Sequence, residues 1–126
     1  MTGDQITLTI PREEPFHEIA QLVLAGVAAR LNLSFESLDD LETALQAVLE
    51  RAADEGDVTV ELRLEDSAIV ARVGPLAPDR LRAELEADGG DAVTLRRILD
   101  TVVDGYELDG EGWLALTKNV TGGDSA

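Results

Sequence analysis

Leu33-Ser34-Phe35-Glu36-Ser37-Leu38-Asp39-Asp40-Leu41 opens the longest helical signal in the chain, which runs on through ETALQAVLERAADE to Glu55. Leu38, Leu41, Leu45, Val48, Leu49 and Ala52 recur at steps of three and four, so they form one apolar stripe. Ser37 is placed to cap the start. Asp39 and Asp40 then fall in the first turn, where the helix dipole favours negative charge. Gly56 is the expected stop. Any ligand site is expected on the polar side of this helix.

The stretches on either side alternate between strand and helix patterns. Residues 5–10 put Ile6, Leu8 and Ile10 on one face and Thr7 and Thr9 on the other, a half-buried strand stopped by Pro11. A helix is expected over 14–31, with Pro15 in its first turn and Ile19, Leu22, Val23, Gly26, Val27 and Arg30 sharing a face. Beyond Gly56, residues 58–65 and 68–73 read as a hairpin turning at Glu65-Asp66-Ser67. A short helix over 79–87 points Leu81 and Leu85 inward. A second over 92–103 points Leu95, Ile98, Leu99 and Val102 inward. Tyr106-Glu107-Leu108 and residues 113–119 close the pattern as a hairpin around Asp109-Gly110-Glu111-Gly112. This order implies an α+β fold: a two-layer α/β sandwich, mainly an antiparallel sheet with helices on one face.

At 126 residues the chain reads as a single domain, 1–126, with its core over about 5–120. Its hydrophobic content rests on Ala, Val and Leu, with only two Phe, one Tyr and one Trp. The formal charge of −16 repels nucleic acid and anionic lipid, so neither is expected as a partner. The acidity serves solubility or the docking of a basic partner. The absence of cysteine excludes disulfides and thiolate metal sites. No apolar run approaches the ~18 residues of a membrane span. The start, MTGDQITLTI, lacks a basic region followed by an apolar one. The expected location is cytoplasmic.

The residues resemble the GHKL (Bergerat-fold, histidine kinase-like) ATPase domain, in the branch of anti-sigma-factor serine kinases. Three segments carry the resemblance, which extends from about Ile6 to Val120. Residues 33–41 are similar to the lead-in of that family's first ATP-site helix. Leu95-Arg96-Arg97-Ile98-Leu99-Asp100-Thr101-Val102 is similar to a late helix, and Gly112-Trp113-Leu114-Ala115-Leu116-Thr117-Lys118 to the last strand. These are scaffold segments, and they imply the histidine kinase-like ATPase fold.

The resemblance also implies where ATP chemistry belongs. The family's first helix carries a glutamate that activates the attacking hydroxyl and, four residues on, an asparagine that holds Mg²⁺. Positions four apart share a helix face, so both reach the same phosphates. A gap-free register from Leu33 puts Ala47 and Arg51 there, which leaves no base and a cation in the place of the metal ligand. A second register, three residues on, puts Glu50 as base and Asp54 on Mg²⁺. It needs an insertion upstream, so the first is preferred. Otherwise Glu50 and Asp54 are a solvated helix face.

The family's adenine-binding aspartate follows its third strand. Here residues 68–78 run AIVARVGPLAP, with no carboxylate between Asp66 and Asp79. Gly89, Gly90 and Asp91 match the phosphate-binding turn that opens the late helix, with Asp91 where a glycine is expected. Asp91 is either an ordinary N-cap or a carboxylate that occupies the phosphate position.

Other candidate chemistry is sparse. His17, the sole histidine, is read as a surface or edge residue. Ser34, Ser37 and Ser67 are read as caps or turns. Asp39-Asp40 fits a helix first turn better than a metal site, and Arg96-Arg97 is either a dock for an acidic partner or a solubilising pair.

The expected function is that of an anti-sigma-factor-like regulator working by protein–protein binding, with ATP binding lost or weakened and no cofactor required. Its expected partner is a sigma factor or an anti-sigma antagonist. The resemblance also implies a homodimer through the region from Ile6 to Leu31. The alternative is an active ATP-dependent protein serine kinase with ATP and Mg²⁺ as cofactors.

Overall fold

The computed structural model describes residues 5–30, 33–51, 56–65, 67–76, 78–86 and 94–119. The sheet is built from β1 (Gln5–Pro11), β2 (Asp57–Glu65), β3 (Ala68–Gly74), β4 (Gly105–Leu108) and β5 (Leu114–Asn119). Their order is β1-β2-β3-β5-β4, and every neighbouring pair is antiparallel. The helices are α1 (His17–Arg30), α2 (Phe35–Leu49), α3 (Pro78–Glu86) and α4 (Leu95–Val102).

Strand alternation sets the two layers. Val58, Val60 and Leu62 of β2, Ile69, Ala71 and Val73 of β3, and Leu114 and Leu116 of β5 are buried. They form one core with Leu41, Leu45, Val48 and Leu49 of α2 and Leu95 and Leu99 of α4. On the opposite face Thr59, Glu61 and Arg63 remain half-exposed. There Arg72 pairs with Glu61 at 2.9 Å and lies 4.8 Å from the centre of the Trp113 ring. The structure is therefore α+β, with a five-stranded antiparallel sheet and its helices, as the sequence implies.

Several local expectations are corrected. Ser34, not Ser37, caps α2: its Oγ accepts the Ser37 amide at 3.0 Å. The first turn thus holds Glu36, and Asp39 and Asp40 move one turn along. The helix ends at Leu49 with Glu50 as its C-cap, well before Gly56. Ala52 and Asp54 lie outside the described residues.

The first helical segment begins as a 3-10 turn over Glu14–Phe16 and becomes α-helical at His17. It buries His17, Ala20, Leu24 and Ala28, whereas Ile19 and Leu22 are 41% and 69% exposed. The segment is apolar nearly all round, so periodicity alone does not choose its buried face. Close approach does, because alanines at 20 and 28 let the helix seat against its neighbours.

α4 starts at Leu95, and its cap is Thr94, whose Oγ1 accepts the Arg97 amide at 3.2 Å. Gly89, Gly90 and Asp91 fall outside the described residues.

The β4–β5 connection is held by the Asp109 side chain. Asp109 Oδ1 accepts the amides of Glu111 at 2.8 Å and Trp113 at 3.0 Å. These two bonds, Trp113's first, hold the Asp109 carboxyl below its ordinary pKa by favouring the charged form.

Candidate functional site

Of the expected ATP-site residues, Ala47 lies in the last turn of α2, Glu50 is its C-cap and Arg51 follows it, while Asp54 lies outside the described residues. Ala47 is only 5% exposed. Arg51, one turn on, folds back along the helix, and its Nη1 donates to the Ala47 carbonyl at 2.9 Å. The two residues of the gap-free register are therefore adjacent, as their spacing requires, with a guanidinium against the helix end. Glu50 is exposed, and its carboxylate accepts a hydrogen bond from Gln46 Nε2 at 3.1 Å. Gln46 in turn faces α1, so Glu50 sits on the α1 side of the helix.

That contact belongs to a polar chain the sequence did not reveal. Gln46 Nε2 lies 3.3 Å from His17 Nδ1, and His17 Nε2 lies 3.0 Å from the Arg12 carbonyl. An amide NH₂ can only donate and a carbonyl can only accept. The proton of neutral His17 is therefore on Nε2. Gln21 joins α1 to α2 by donating to Gln46 Oε1 at 3.3 Å and to the Glu42 carbonyl at 3.2 Å. Arg12 Nη2 reaches the Pro75 carbonyl at 2.6 Å. Its Nε and Nη1 are buried with no hydrogen-bond partner among the described residues. The sole histidine is thus 5% exposed and hydrogen-bonded on both ring nitrogens, not a surface residue. Local spacing gave no sign of this, because its partners come from β1's end and from another helix.

The segment expected to bind adenine is occupied by packing. Leu76 is buried, and its amide donates to the Gly112 carbonyl at 2.7 Å. A Cβ on Gly74 would lie 2.7 Å from the Trp113 ring, so the indole rests directly on the strand end. Asp79, the next carboxylate along, is exposed in the first turn of α3.

The other candidates resolve into structural contacts. Asp40 does not pair with Asp39. It accepts from Lys118 Nζ at 2.9 Å, and the same ammonium donates to the Val102 carbonyl at 3.1 Å. Lys118 therefore ties β5 to the start of α2 and the end of α4. With the two side chains 15% and 29% exposed, the pair is only partly screened. Lys118→Met would leave the Asp40 carboxylate and the Val102 carbonyl without this donor, and we expect a loss of about 1–3 kcal/mol. Urea unfolding would measure it, and a change below about 0.5 kcal/mol would mean that water replaces the ammonium at no cost. Arg96 lies 3.7 Å from Asp100, one turn along α4, with both largely exposed. Among the described residues, no group of three or more His, Asp or Glu side chains is gathered as metal ligands. No described helix is long and apolar enough to cross a membrane.

The chain is similar to serine-protein kinases. It is 29% identical over 77 residues to the serine-protein kinase RsbW of Listeria monocytogenes serotype 4a (strain HCC23), covering 56% of this chain and 49% of that one. It is 27% identical over 77 residues to the serine-protein kinase RsbW of Listeria innocua serovar 6a, with the same coverage. The chain thus spans about half the length of the curated relatives it matches. No family model matches it.

Proposed function

We propose that this chain is an anti-sigma-factor-like regulator that acts by binding another protein and has lost or weakened its nucleotide site. The observation that carries the reading is the pairing of Ala47 with Arg51. Alanine has no group to activate a hydroxyl, and a guanidinium beside it disfavours a divalent cation. The Leu76–Gly112 hydrogen bond and the Trp113 ring on Gly74 support the same conclusion, because they fill the strand end that the resemblance assigns to adenine. The similarity to RsbW kinases supports a protein partner, here a sigma factor or an anti-sigma antagonist. Ile6, Phe16, Ile19 and Leu22, exposed apolar residues of β1 and the first helical segment, support pairing of two copies through that region. β1 is also an edge strand of the sheet.

The kinase reading draws on the same relatives and would use Glu50 as base and Asp54 for Mg²⁺. Titration calorimetry with ATP and Mg²⁺ separates the two. The regulator is expected to give weak heat or none. Tight binding that disappears in Glu50→Ala and Asp54→Ala would overturn the proposal.

A further inference from the structure

The helix layer does not reach the whole inner face of the sheet. At the N-terminal end of β1, the last turns of α1 overhang a cavity of about 330 Å³. Val27 forms its roof, Leu62, Leu64 and Ile69 its floor, and Ile6 its lip. Leu62 and Ile69 are 4% and 1% exposed, whereas Ile6 is 43% exposed. Its volume lies within the range of small-molecule sites, and such sites join an apolar wall to a few polar groups.

The polar residues of the lining are Gln5, Arg30 and Arg63. Arg63 belongs to the opposite face of β2, so Arg30, one of only ten Lys and Arg residues in a chain of net charge −16, is the cation that α1 brings to the cavity. Arg63 is engaged with Glu65 at 3.1 Å on an exposed surface. Arg30, in the last turn of α1, forms no ion pair among the described residues. An apolar slot with a guanidinium at its mouth that pairs with no carboxylate among the described residues complements a molecule with a hydrocarbon tail and one anionic end. It does not suit a nucleotide, whose polar ring and several charges would face the apolar floor.

We propose that this cavity binds a medium-chain fatty carboxylate. Its alkyl chain lies between Val27 and the Leu62–Leu64–Ile69 floor, and its carboxylate pairs with Arg30. Burial of each methylene then tightens binding roughly fourfold until the cavity is full. The site is distinct from α2's C-terminal half and does not depend on how the nucleotide question is resolved.

The test uses the full chain, ¹⁵N-labelled, titrated with hexanoate, octanoate and decanoate below their micelle concentrations. Saturable shifts at the amides of Ile6, Val27 and Leu64 are expected, tightening along the series by about fourfold per methylene. Decanol is expected to bind at least about tenfold more weakly than decanoate, because it lacks the charge. Arg30→Gln is expected to remove that difference while leaving decanol unchanged. Ile6→Glu, at a partly exposed edge-strand position, is expected to abolish carboxylate binding while the rest of the spectrum persists. Affinity independent of chain length, or unaffected by Arg30→Gln, would overturn the proposal. So would shifts of these amides that follow protein concentration but not carboxylate, because a second copy would then fill the slot.

Discussion

Gly112→Ala is expected to destabilise the protein by about 3–5 kcal/mol, from left-handed backbone strain together with overpacking. Gly112 has φ +95°, a conformation that L side chains rarely adopt. A Cβ there would overlap the Leu76 carbonyl oxygen and lie 3.1 Å from the Leu76 nitrogen. Both obstacles are backbone, so no rotamer change relieves them. The nearest relief is to move the turn, which would stretch the 2.7 Å bond from the Leu76 amide to the Gly112 carbonyl and lift Trp113 off Gly74. Gly110→Ala is the control. It lies in the same turn with nothing within 4 Å of its would-be Cβ and an ordinary φ, and it should stay within about 0.5 kcal/mol of the parent. Urea unfolding of the two variants reads the difference. If Gly112→Ala also falls within about 1 kcal/mol, the close approach of the β4–β5 turn to the strand end is not what holds this junction.

That junction shows why parts of the site were hidden in the sequence. The stretch 74–78 could be read as lacking a carboxylate, since that is a matter of residue identity. What fills the place could not, because Gly112 and Trp113 are far along the chain and their register on β3 is set by the Arg72↔Ala115 and Val73↔Leu114 pairing. The same holds for His17. Its ring is satisfied by Arg12's carbonyl and a glutamine on α2, so neither burial nor tautomer follows from its neighbours. By contrast, Ala47 and Arg51 are four apart on one helix, and their proximity follows from the spacing alone. The hairpin of β2 and β3 was legible because alternation and a short turn fix register together. Ser34 and Ser37 were interchangeable as caps on composition. The structure chooses Ser34, which places Ser37 as the residue whose amide is capped.

The polar chain through His17 ties several parts of the fold together. It links the residue after β1, the start of α1, the last turns of α2 and the carbonyl of Pro75. Glu50, the one described carboxylate that the kinase reading needs, is its terminal acceptor. Glu50 accepts one hydrogen bond from Gln46, which is itself held by Gln21 and His17. This geometry is what an α1–α2 contact requires.

Leu45→Ala is expected to cost about 3–4 kcal/mol, and Leu22→Ala almost nothing. Both leucines stand in apolar stripes at helical spacing, so the sequence assigns them similar roles. In the structure Leu45 is 1% exposed and belongs to the core shared by α2 and the sheet. Its truncation removes transfer free energy and leaves a cavity that flanking Leu41, Val48 and Leu49 can only partly collapse into. Leu22 is 69% exposed, so most of its surface is already in water and truncation opens no cavity. Against a total stability of roughly 5–15 kcal/mol, the first change removes a large share and the second is near measurement error. Chemical denaturation of both variants at low protein concentration tests the contrast, since dilution excludes pairing of copies. If Leu22→Ala proves as costly as Leu45→Ala in the monomer, α1 is seated on a different face from the one described. If Leu22→Ala is silent when dilute but destabilising when concentrated, the exposed stripe is covered by a second copy, as the resemblance implies.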